Sequence, residues 1–276
     1  RKYCKIINLA FLLEGYIFGG NMKVLFIGDV YMKLGQKAFD KYFLQVKNEY
    51  KPQFIIVNGE NIEQGNGLSK KTYKDYLLQG VNVFTLGNHA FSRRDANEVL
   101  DLDYVCRPAN YGLGTIGKEW VEYNFNDKKI VVINLLGRIF MRDPIDNPFT
   151  KADEILAKIS ADYIIVDFHA EATSEKYALA HYLDGRVDAI IGTHTHVPTA
   201  DNMVLPKGTL FQSDVGMTGA KNSIIGGEIR QGIRKFISGV PERVKPEENS
   251  NLQFNATFLD LDNKTIDRIN IYEENY

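Results

Sequence analysis

Short apolar runs alternate with amphipathic segments along most of the chain. Continuous apolar runs predict buried strands, and apolar residues at helical spacing predict helices. The predicted strands cover 23–30, 53–61, 81–90, 162–171, 187–196 and 208–216. The predicted helices cover 36–50, 69–80, 152–160 and 174–185. This strand–helix order indicates right-handed crossovers and a parallel sheet.

Two further regions have the alternating pattern of antiparallel hairpins. Residues 120–137 turn at Asn126-Asp127-Lys128, and residues 252–274 turn at an Asp-Asn-Lys sequence. The polar segment 238–251 is predicted to be a surface loop. Because the sequence contains neither a linker nor a repeat, residues 22–276 are predicted to form a single domain. We expect parallel βαβ units with an added antiparallel portion.

The first 21 residues differ from the rest of the chain. A basic start precedes a short apolar run that Glu14 interrupts, and such a run is short for a membrane span. Met22 then begins "MKVLFIGDV", which resembles a natural protein start. Residues 1–21 are therefore interpreted as an upstream or non-native extension, with a signal peptide or an interaction segment as the alternatives.

The composition is that of an ordinary globular protein. The chain has 276 residues, of which 44% are hydrophobic and 25% charged. Its formal net charge of -2 argues against long nucleic acids as partners. The two cysteines, Cys4 and Cys106, have no paired spacing, which argues against a disulfide framework and a zinc–thiolate site. We expect a reduced, cytoplasmic setting without membrane contact.

Polar side chains follow five of the predicted strands. They are Asp29, the pair Glu60 and Asn61, the pair Asn88 and His89, His169, and the pair His194 and His196. Ligands of open α/β sheets gather at the carboxyl ends of strands, so these groups are expected to converge. Alternate residues of an extended segment share a face, which would let His194 and His196 reach one centre. Any one of these residues has an ordinary structural alternative, such as a turn-forming role for Asp29. Their joint occurrence predicts a metal site.

Three other polar residues are less informative. His181 lies within a predicted helix and is interpreted as a structural or surface histidine. Arg107 and Arg142 are candidates for phosphate binding or for ordinary ion pairs. The glycine-containing stretches lack the spacing of a phosphate-binding loop, which excludes the usual nucleoside-triphosphate motif.

In combination, the motifs resemble those of a calcineurin-type metallophosphoesterase. The motifs are "GDV", "NGEN", "GNHAF", "FHAE" and "GTHTH", in this order along the chain. The closer resemblance is to the YmdB-like bacterial phosphodiesterases, and it extends from Met22 nearly to the C-terminus. Such a resemblance implies a mixed α/β fold in which two stacked mixed β-sheets are flanked by helices, an αββα sandwich. It also implies two divalent transition-metal ions.

The resemblance assigns a role to each residue at the strand ends. Glu60 would bridge two ions, His89 would donate a proton, and Asn61 would bind a metal or the substrate. Asp29 and His196 would complete the ligands of one ion, and Asn88, His169 and His194 those of the other. Glu171 and Asp214 are candidates for orienting the ligand rings. Asp29-Val30-Tyr31 departs from the Asp-x-His of many superfamily members.

The implied function is a dinuclear metal-dependent phosphodiesterase. It would hydrolyse 2′,3′-cyclic nucleotides by attack of a metal-bound hydroxide, with His89 as general acid. Imidazole ligands favour Mn, Fe, Co, Ni or Zn over Mg, and the resemblance favours iron or manganese.

Two alternatives stay open at this point. One is a phosphatase or nuclease of broader specificity, and the other is a regulatory nucleotide-binding protein with little turnover. The expected partner is a small phosphodiester or cyclic nucleotide, and the resemblance is compatible with a homo-oligomer.

Overall fold

The first of two β-sheets has seven strands in the computed structural model, which describes residues 21–274. The strands, numbered in chain order, are β1 (Lys23–Ile27), β2 (Phe54–Asn58), β3 (Val83–Thr85), β4 (Val105–Cys106), β11 (Gly219–Ala220), β12 (Leu252–Asp260) and β13 (Thr265–Tyr272). Their order is β11-β12-β1-β2-β3-β4, and β13 also pairs with β12. Strands β1 to β4 are parallel, whereas β12 runs antiparallel to β1, β11 and β13.

The second sheet has six strands and is also mixed. Its strands are β5 (Trp120–Phe125), β6 (Lys128–Leu136), β7 (Tyr163–His169), β8 (Ala189–Thr193), β9 (Met203–Val204) and β10 (Leu210–Gln212). Their order is β5-β6-β7-β8-β10-β9. The four central strands are parallel, and the two edge strands pair antiparallel.

Six helices lie within the described residues. They are α1 (Met32–Tyr50), α2 (Lys70–Gln79), α3 (Ala96–Leu100), α4 (Pro148–Leu156), α5 (Thr173–Leu183) and α6 (Ile229–Ser238). No helix of residues 21–274 is long and apolar enough to cross a membrane.

Three apolar cores separate four layers. One core joins the two sheets, with Phe26 and Ile56 of the first sheet in one cluster with Val132 and Ile191 of the second. The opposite face of the first sheet packs against α1 and α2, and the opposite face of the second packs against α4 and α5. Because strand side chains alternate between faces, each central strand contributes to two cores. The αββα sandwich implied by the resemblance is therefore confirmed.

The central strands and most helices are confirmed in position, although the strands are shorter than predicted. Both hairpins form, and 239–251 contains neither helix nor strand. The prediction of α4 at 152–160 was wrong by one turn. Asn147 accepts a hydrogen bond from the Phe149 amide, and Pro148 follows it at the first helical position, so the helix begins there.

Helix α6 and the short elements α3, β4, β9 and β11 were absent from the prediction. The interpretation of 1–21 as an extension stays untested, because residues 1–20 lie outside the described part of the chain.

Candidate metal centre

The carboxyl ends of five parallel strands lie at one edge of the sandwich. Strands β1, β2 and β3 of the first sheet and β7 and β8 of the second all end there. Their sequence-predicted side chains lie within hydrogen-bonding distance of one another. The residues brought together are Asp29, Glu60, Asn61, Asn88, His169, His194 and His196. The two sheets thus contribute to one site.

A first cluster surrounds Nε2 of the fully buried His169. This nitrogen lies 3.0 Å from His194 Nδ1, 3.1 Å from Asn88 Oδ1 and 3.1 Å from Glu60 Oε1. Single ligand atoms of Glu60, His169 and His194 all lie within 4.8 Å of one another. Ligand atoms about 2.1 Å from an ion lie about 3.0 Å apart where their bonds meet at right angles. The spacing of this cluster therefore suits a single metal ion.

A second cluster surrounds the Asn61 amide nitrogen. Asn61 Nδ2 donates to Asp29 Oδ1 and Glu60 Oε1, each at 3.1 Å, and lies 3.3 Å from His196 Nε2. An amide has two hydrogens and cannot satisfy three acceptors fully. Three lone-pair atoms that face one point, two of them from buried carboxylates, form a place for a cation. Glu60 Oε1 belongs to both clusters.

The outer nitrogens of all three histidine rings contact hydrogen-bond acceptors. His196 Nδ1 lies 2.8 Å from the Ile225 carbonyl oxygen, and His194 Nε2 lies 3.1 Å from Glu171 Oε2. Carbonyl and carboxylate oxygens both accept hydrogen bonds, so each ring donates outward with this nitrogen and turns its other nitrogen to the centre. This arrangement is typical of metal-ligating histidines.

The third ring, His169, is held by a buried relay of polar groups. His169 Nδ1 lies 2.8 Å from Thr193 Oγ1, whose hydroxyl donates to Asp167 Oδ1 at 2.7 Å. Asp167 Oδ2 accepts from Asn58 Nδ2 at 2.9 Å, and Asn58 Oδ1 accepts from the Glu60 amide at 3.2 Å. The relay therefore connects the outer side of His169 to the backbone of Glu60 across both sheets.

The loop that carries His194 and His196 has left-handed backbone. Strand β8 ends at Thr193, and His194 and His196 have φ of 104° and 67°. The expectation that they share the face of an extended strand was wrong. The turned backbone instead aims His194 at the first cluster and His196 at the second.

A buried ion pair supports this loop. Lys176 Nζ lies 2.8 Å from Asp214 Oδ2 and donates to the Thr193 carbonyl at 2.9 Å. Asp214 Oδ2 also accepts from the Thr195 amide at 2.9 Å. Both Lys176 and Asp214 are almost fully buried. The pair therefore holds the loop in position through its backbone at Thr193 and Thr195.

The electrostatics of the centre favour positive charge between its carboxylates. Burial opposes charge on Glu60, but His169 and His89 outweigh it and lower the pKa of Glu60 to about 2. Burial likewise opposes charge on His169, but Glu60 and the buried aspartates outweigh it and raise the pKa of His169 to about 9. Burial and the neighbouring His169 lower the pKa of His194 to about 3. Burial raises the pKa of Asp29.

Gly87 makes the close approach of these groups sterically feasible. A Cβ atom there would lie 2.1 Å from Glu60 Oε2 and 2.5 Å from His169 Nε2. Real Cβ atoms do not approach other atoms this closely, so any side chain at this position would displace the first cluster. Glycine is required here by space.

His89 lies beside the clusters without joining them. Its backbone amide donates to Glu60 Oε2 at 3.1 Å, and its ring Nδ1 lies 3.3 Å from Ser92 Oγ. The side chain lines a cavity of about 920 Å³ that also reaches Glu60, Asn61, His194 and His196. Its ring is therefore available to a molecule bound in that cavity.

The residues of the first cluster fit a transition-metal ion, and the second cluster gathers further donors beside it. The donors are carboxylate oxygens, amide groups and three imidazole nitrogens that face inward, and this mixed set suits Mn, Fe, Co, Ni or Zn, which would replace the proton of His169. Asp29, Glu60, Asn61 and His196 would hold one ion, and Glu60, Asn88, His169 and His194 the other.

The remaining candidate residues lie outside these clusters. Arg107 is buried, and its guanidinium donates to the carbonyls of Pro108, Thr115 and Ile116. Arg107 therefore stabilises a loop, and its role is structural rather than phosphate binding. His181 is exposed on α5, its ring 6.4 Å from that of Tyr177.

Tyr31 stands where many superfamily members have histidine. Its ring packs edge-on against His196, with centroids 5.1 Å apart.

Of the residues behind the ligands, sequence reasoning named Glu171, which contacts His194, and Asp214, which binds the Thr195 amide rather than a ring, but it missed the others. Asp167 carries the clearest signal, because it is a carboxylate within an otherwise apolar buried strand, two residues before His169. Lys176 and Asn58 have no such signal, since lysine on a helix and asparagine before glycine are both common.

Comparisons with known proteins agree with this geometry. The family model described as YmdB-like protein matches residues 25–273. A Bacillus subtilis protein named 2′,3′-cyclic-nucleotide 2′-phosphodiesterase is 43% identical over 247 residues, which span 88% of this chain and 93% of that protein.

Two solved structures are similar over nearly the whole chain. A hypothetical protein from Thermus thermophilus has a TM-score of 0.85 at 42% identity and covers 92% of this chain and 100% of its own. A structure titled a novel phosphatase from Mycoplasma pneumoniae has a TM-score of 0.85 at 37% identity, covering 93% of this chain and 95% of its own. The resemblance inferred from the motifs is confirmed: the chain belongs to the YmdB-like family.

Proposed function

We propose that this chain is a phosphoric diester hydrolase that uses two divalent metal ions to open 2′,3′-cyclic nucleotides. One observation carries the proposal: Glu60 Oε1 lies 3.1 Å from both Asn61 Nδ2 and His169 Nε2, at the junction of the two clusters. A carboxylate there can bridge two ions. The name of the Bacillus subtilis relative supports the substrate class.

The side chains of the centre would leave it positively charged. When bound, the two ions neutralise phosphate oxygens and acidify a water, which supplies the nucleophile. Asp29 and Glu60 are the only carboxylates of the proposed ligand set, so four positive charges meet two negative ones. Asparagine and neutral histidine hold metal without cancelling the attraction for an anionic phosphate.

His89 is proposed as the proton donor for the departing ribose oxygen. It lines the cavity, and its backbone is fixed to the bridging Glu60. Arrival of a proton on the leaving oxygen completes cleavage of one ester bond, and a phosphomonoester remains. Iron or manganese is the proposed metal pair, in line with the imidazole-rich donor set.

A substrate panel with metal analysis tests this proposal. Protein reconstituted with manganese or iron is offered adenosine 2′,3′-cyclic phosphate, a linear dinucleotide and p-nitrophenyl phosphate. We expect two metal equivalents per chain, fastest hydrolysis of the cyclic phosphate, and loss of turnover after chelation that added metal reverses. Equal turnover after complete chelation, or hydrolysis of the monoester alone, would overturn it.

A further inference from the structure

The cavity over the metal centre has an outer wall that the proposed chemistry does not use. We define the outer wall as Lys235 and Phe236 of α6 with Arg243 and Lys245 of the following loop. All four side chains are exposed, and Phe236 keeps 77% of its surface accessible. The other wall is formed by His89 and four of the candidate metal ligands, Glu60, Asn61, His194 and His196.

The outer wall extends beyond the cavity. A second depression of about 570 Å³ shares Lys235, Phe236 and Arg243 with the first and has Arg142 on its far side. The two depressions therefore adjoin at these side chains. We call them together the groove, with the metal centre in the first depression and Arg142 in the second.

This groove is positively charged. Among residues 21–274, none of Lys235, Arg243 and Lys245 forms an ion pair, and neither does Arg142. Three carboxylates line the two depressions: Glu242 is paired with Arg234, whereas Glu60 and Glu171 lie on the metal side. The outer wall itself thus attracts anions, although the whole chain has a net charge of -2.

A single cyclic nucleotide leaves most of this groove unused. The first cavity alone, at about 920 Å³, lies near the top of the about 300–1,000 Å³ range of small-molecule sites. The only phosphate of a cyclic mononucleotide would sit at the metal centre. The cations of the outer wall would then have no phosphate to bind.

The chemistry of a 2′,3′-cyclic phosphate fixes how a longer substrate could lie. Both the 2′ and 3′ oxygens of that ribose are esterified to the cyclic phosphorus, so a chain can extend only through the 5′ oxygen. Any strand with this group at its end must therefore leave the centre with its 5′ side along the groove. Cationic side chains beside an exposed aromatic ring are the usual features of single-strand binding.

We infer that the preferred substrate is a short single-stranded RNA whose 3′ end carries a 2′,3′-cyclic phosphate. The inference rests on the proposed function and specifies its substrate class. Water adds to the cyclic phosphorus, one of the two ribose ester bonds breaks, and the departing oxygen takes a proton. A terminal monophosphate remains while the preceding phosphates contact the outer wall and one base stacks on Phe236.

Two substrates test the inference directly. They are adenosine 2′,3′-cyclic phosphate and a tetra-adenylate ending in a 2′,3′-cyclic phosphate, both assayed with metal-reconstituted protein at low salt. We expect kcat/KM for the tetramer to be at least about tenfold higher, the scale of one stacked base. Equal values for the two substrates would overturn the inference while leaving the proposed function intact.

Charge-removing variants test the cations. In Lys235→Ala/Arg243→Ala, the tetramer-to-mononucleotide ratio of kcat/KM should fall about tenfold. The log–log salt dependence of tetramer binding should lose about 0.7 for each phosphate contact removed. Lys74→Ala, an exposed lysine on α2 outside the groove, is the matched control and should change neither quantity. The same loss in the control would contradict a specific groove.

The aromatic ring is tested separately. Phe236→Leu should lower the ratio about tenfold, whereas Phe236→Tyr should retain it because the ring is kept. Ile237→Ala is the control, since Ile237 is 82% exposed on the same helix and lines neither depression. If Phe236→Leu leaves the ratio unchanged, base stacking on Phe236 does not contribute to the preference for the tetramer.

Binding without turnover separates the two proposals. Fluorescence anisotropy of a 5′-fluorescein-labelled tetra-adenylate measures binding of the strand to the protein, even if neither substrate is hydrolysed. Binding that Lys235→Ala/Arg243→Ala weakens supports the groove, and failure of hydrolysis then counts only against the proposed function. No binding of the labelled strand would overturn the inference.

Discussion

The two walls of the cavity are built in opposite ways. The inner wall consists of candidate metal ligands that line the cavity, with the remaining ligands buried behind them. The outer nitrogens of the ligand rings His169, His194 and His196 each contact an acceptor on the protein. The outer wall is exposed, lies on one helix and a loop, and has cations without partners among the described residues. Groups that must hold an ion within tenths of an ångström are fixed by several neighbours. Groups that meet a flexible polyanion need charge and access more than fixed position.

The largest effect is expected at the inner wall from Glu60→Gln. The change keeps shape but removes the negative charge that both clusters share. We expect the loss of at least one metal equivalent and a fall in turnover beyond the about 10⁴-fold upper range of a lost general acid. Metal analysis and initial rates on a 2′,3′-cyclic nucleotide measure both. Full metal content with near-normal turnover would show that Glu60 is not a metal ligand.

His89→Asn should separate chemistry from metal binding. The backbone amide that donates to Glu60 is retained, so metal content should stay at the unmodified level. Turnover should fall about 10²–10⁴-fold, the usual contribution of a general acid. Metal analysis beside kcat distinguishes this result from a damaged site. If turnover persists, the proton comes from elsewhere.

Lys176→Met tests the support beneath the histidine loop. Removing the lysine leaves Asp214 buried and uncompensated, which should cost about 3–5 kcal/mol of unfolding free energy. Urea denaturation of the metal-free protein measures it. The matched control is Lys264→Met, whose partially exposed pair with Asp188 should contribute no more than about 1 kcal/mol. Similar losses in both variants would mean that burial of the first pair is unimportant.

Thr193→Val should have a smaller effect on metal affinity. It removes the hydroxyl between His169 and Asp167, and loss of such an orienting partner typically weakens metal binding about 10–100-fold. Competition titration with a chelating dye measures the affinity. Thr257→Val is the control, because Thr257 is equally buried but binds Gln212 away from the centre. Equal affinities in both variants would show that the relay does not orient the ring.

The smallest effect is expected from Ile237→Ser, beside the outer wall. The side chain is 82% exposed, so the free energy of unfolding should change by no more than about 0.5 kcal/mol. Turnover of a cyclic mononucleotide should also be unchanged. A large loss of stability would show that α6 packs against something further, and the contrast between the two walls would weaken.

Sequence reasoning predicted the inner wall far better than the outer. Apolar runs predicted the central strands because their burial leaves a direct pattern, and the polar residue after each strand then marked the site. Helix α6 was missed although Ile229, Ile233, Phe236 and Ile237 have helical spacing, and the structure leaves these four side chains exposed.

The details that failed depend on long-range context. The left-handed backbone at His194 and His196 places each ring in a different cluster, and the relay through Asp167 joins residues that are distant along the chain. The local periodicity of the sequence indicates neither the backbone conformation nor the relay.

The candidate centre combines side chains from both sheets, and this affects the stability of the fold. Asp29 and Glu60 follow strands of the first sheet, whereas His169 and His194 follow strands of the second. An ion bound by such ligands would join the two sheets at the edge where these strands end. Such an ion would add to the apolar contacts that already join the layers, so metal binding should raise the free energy of unfolding.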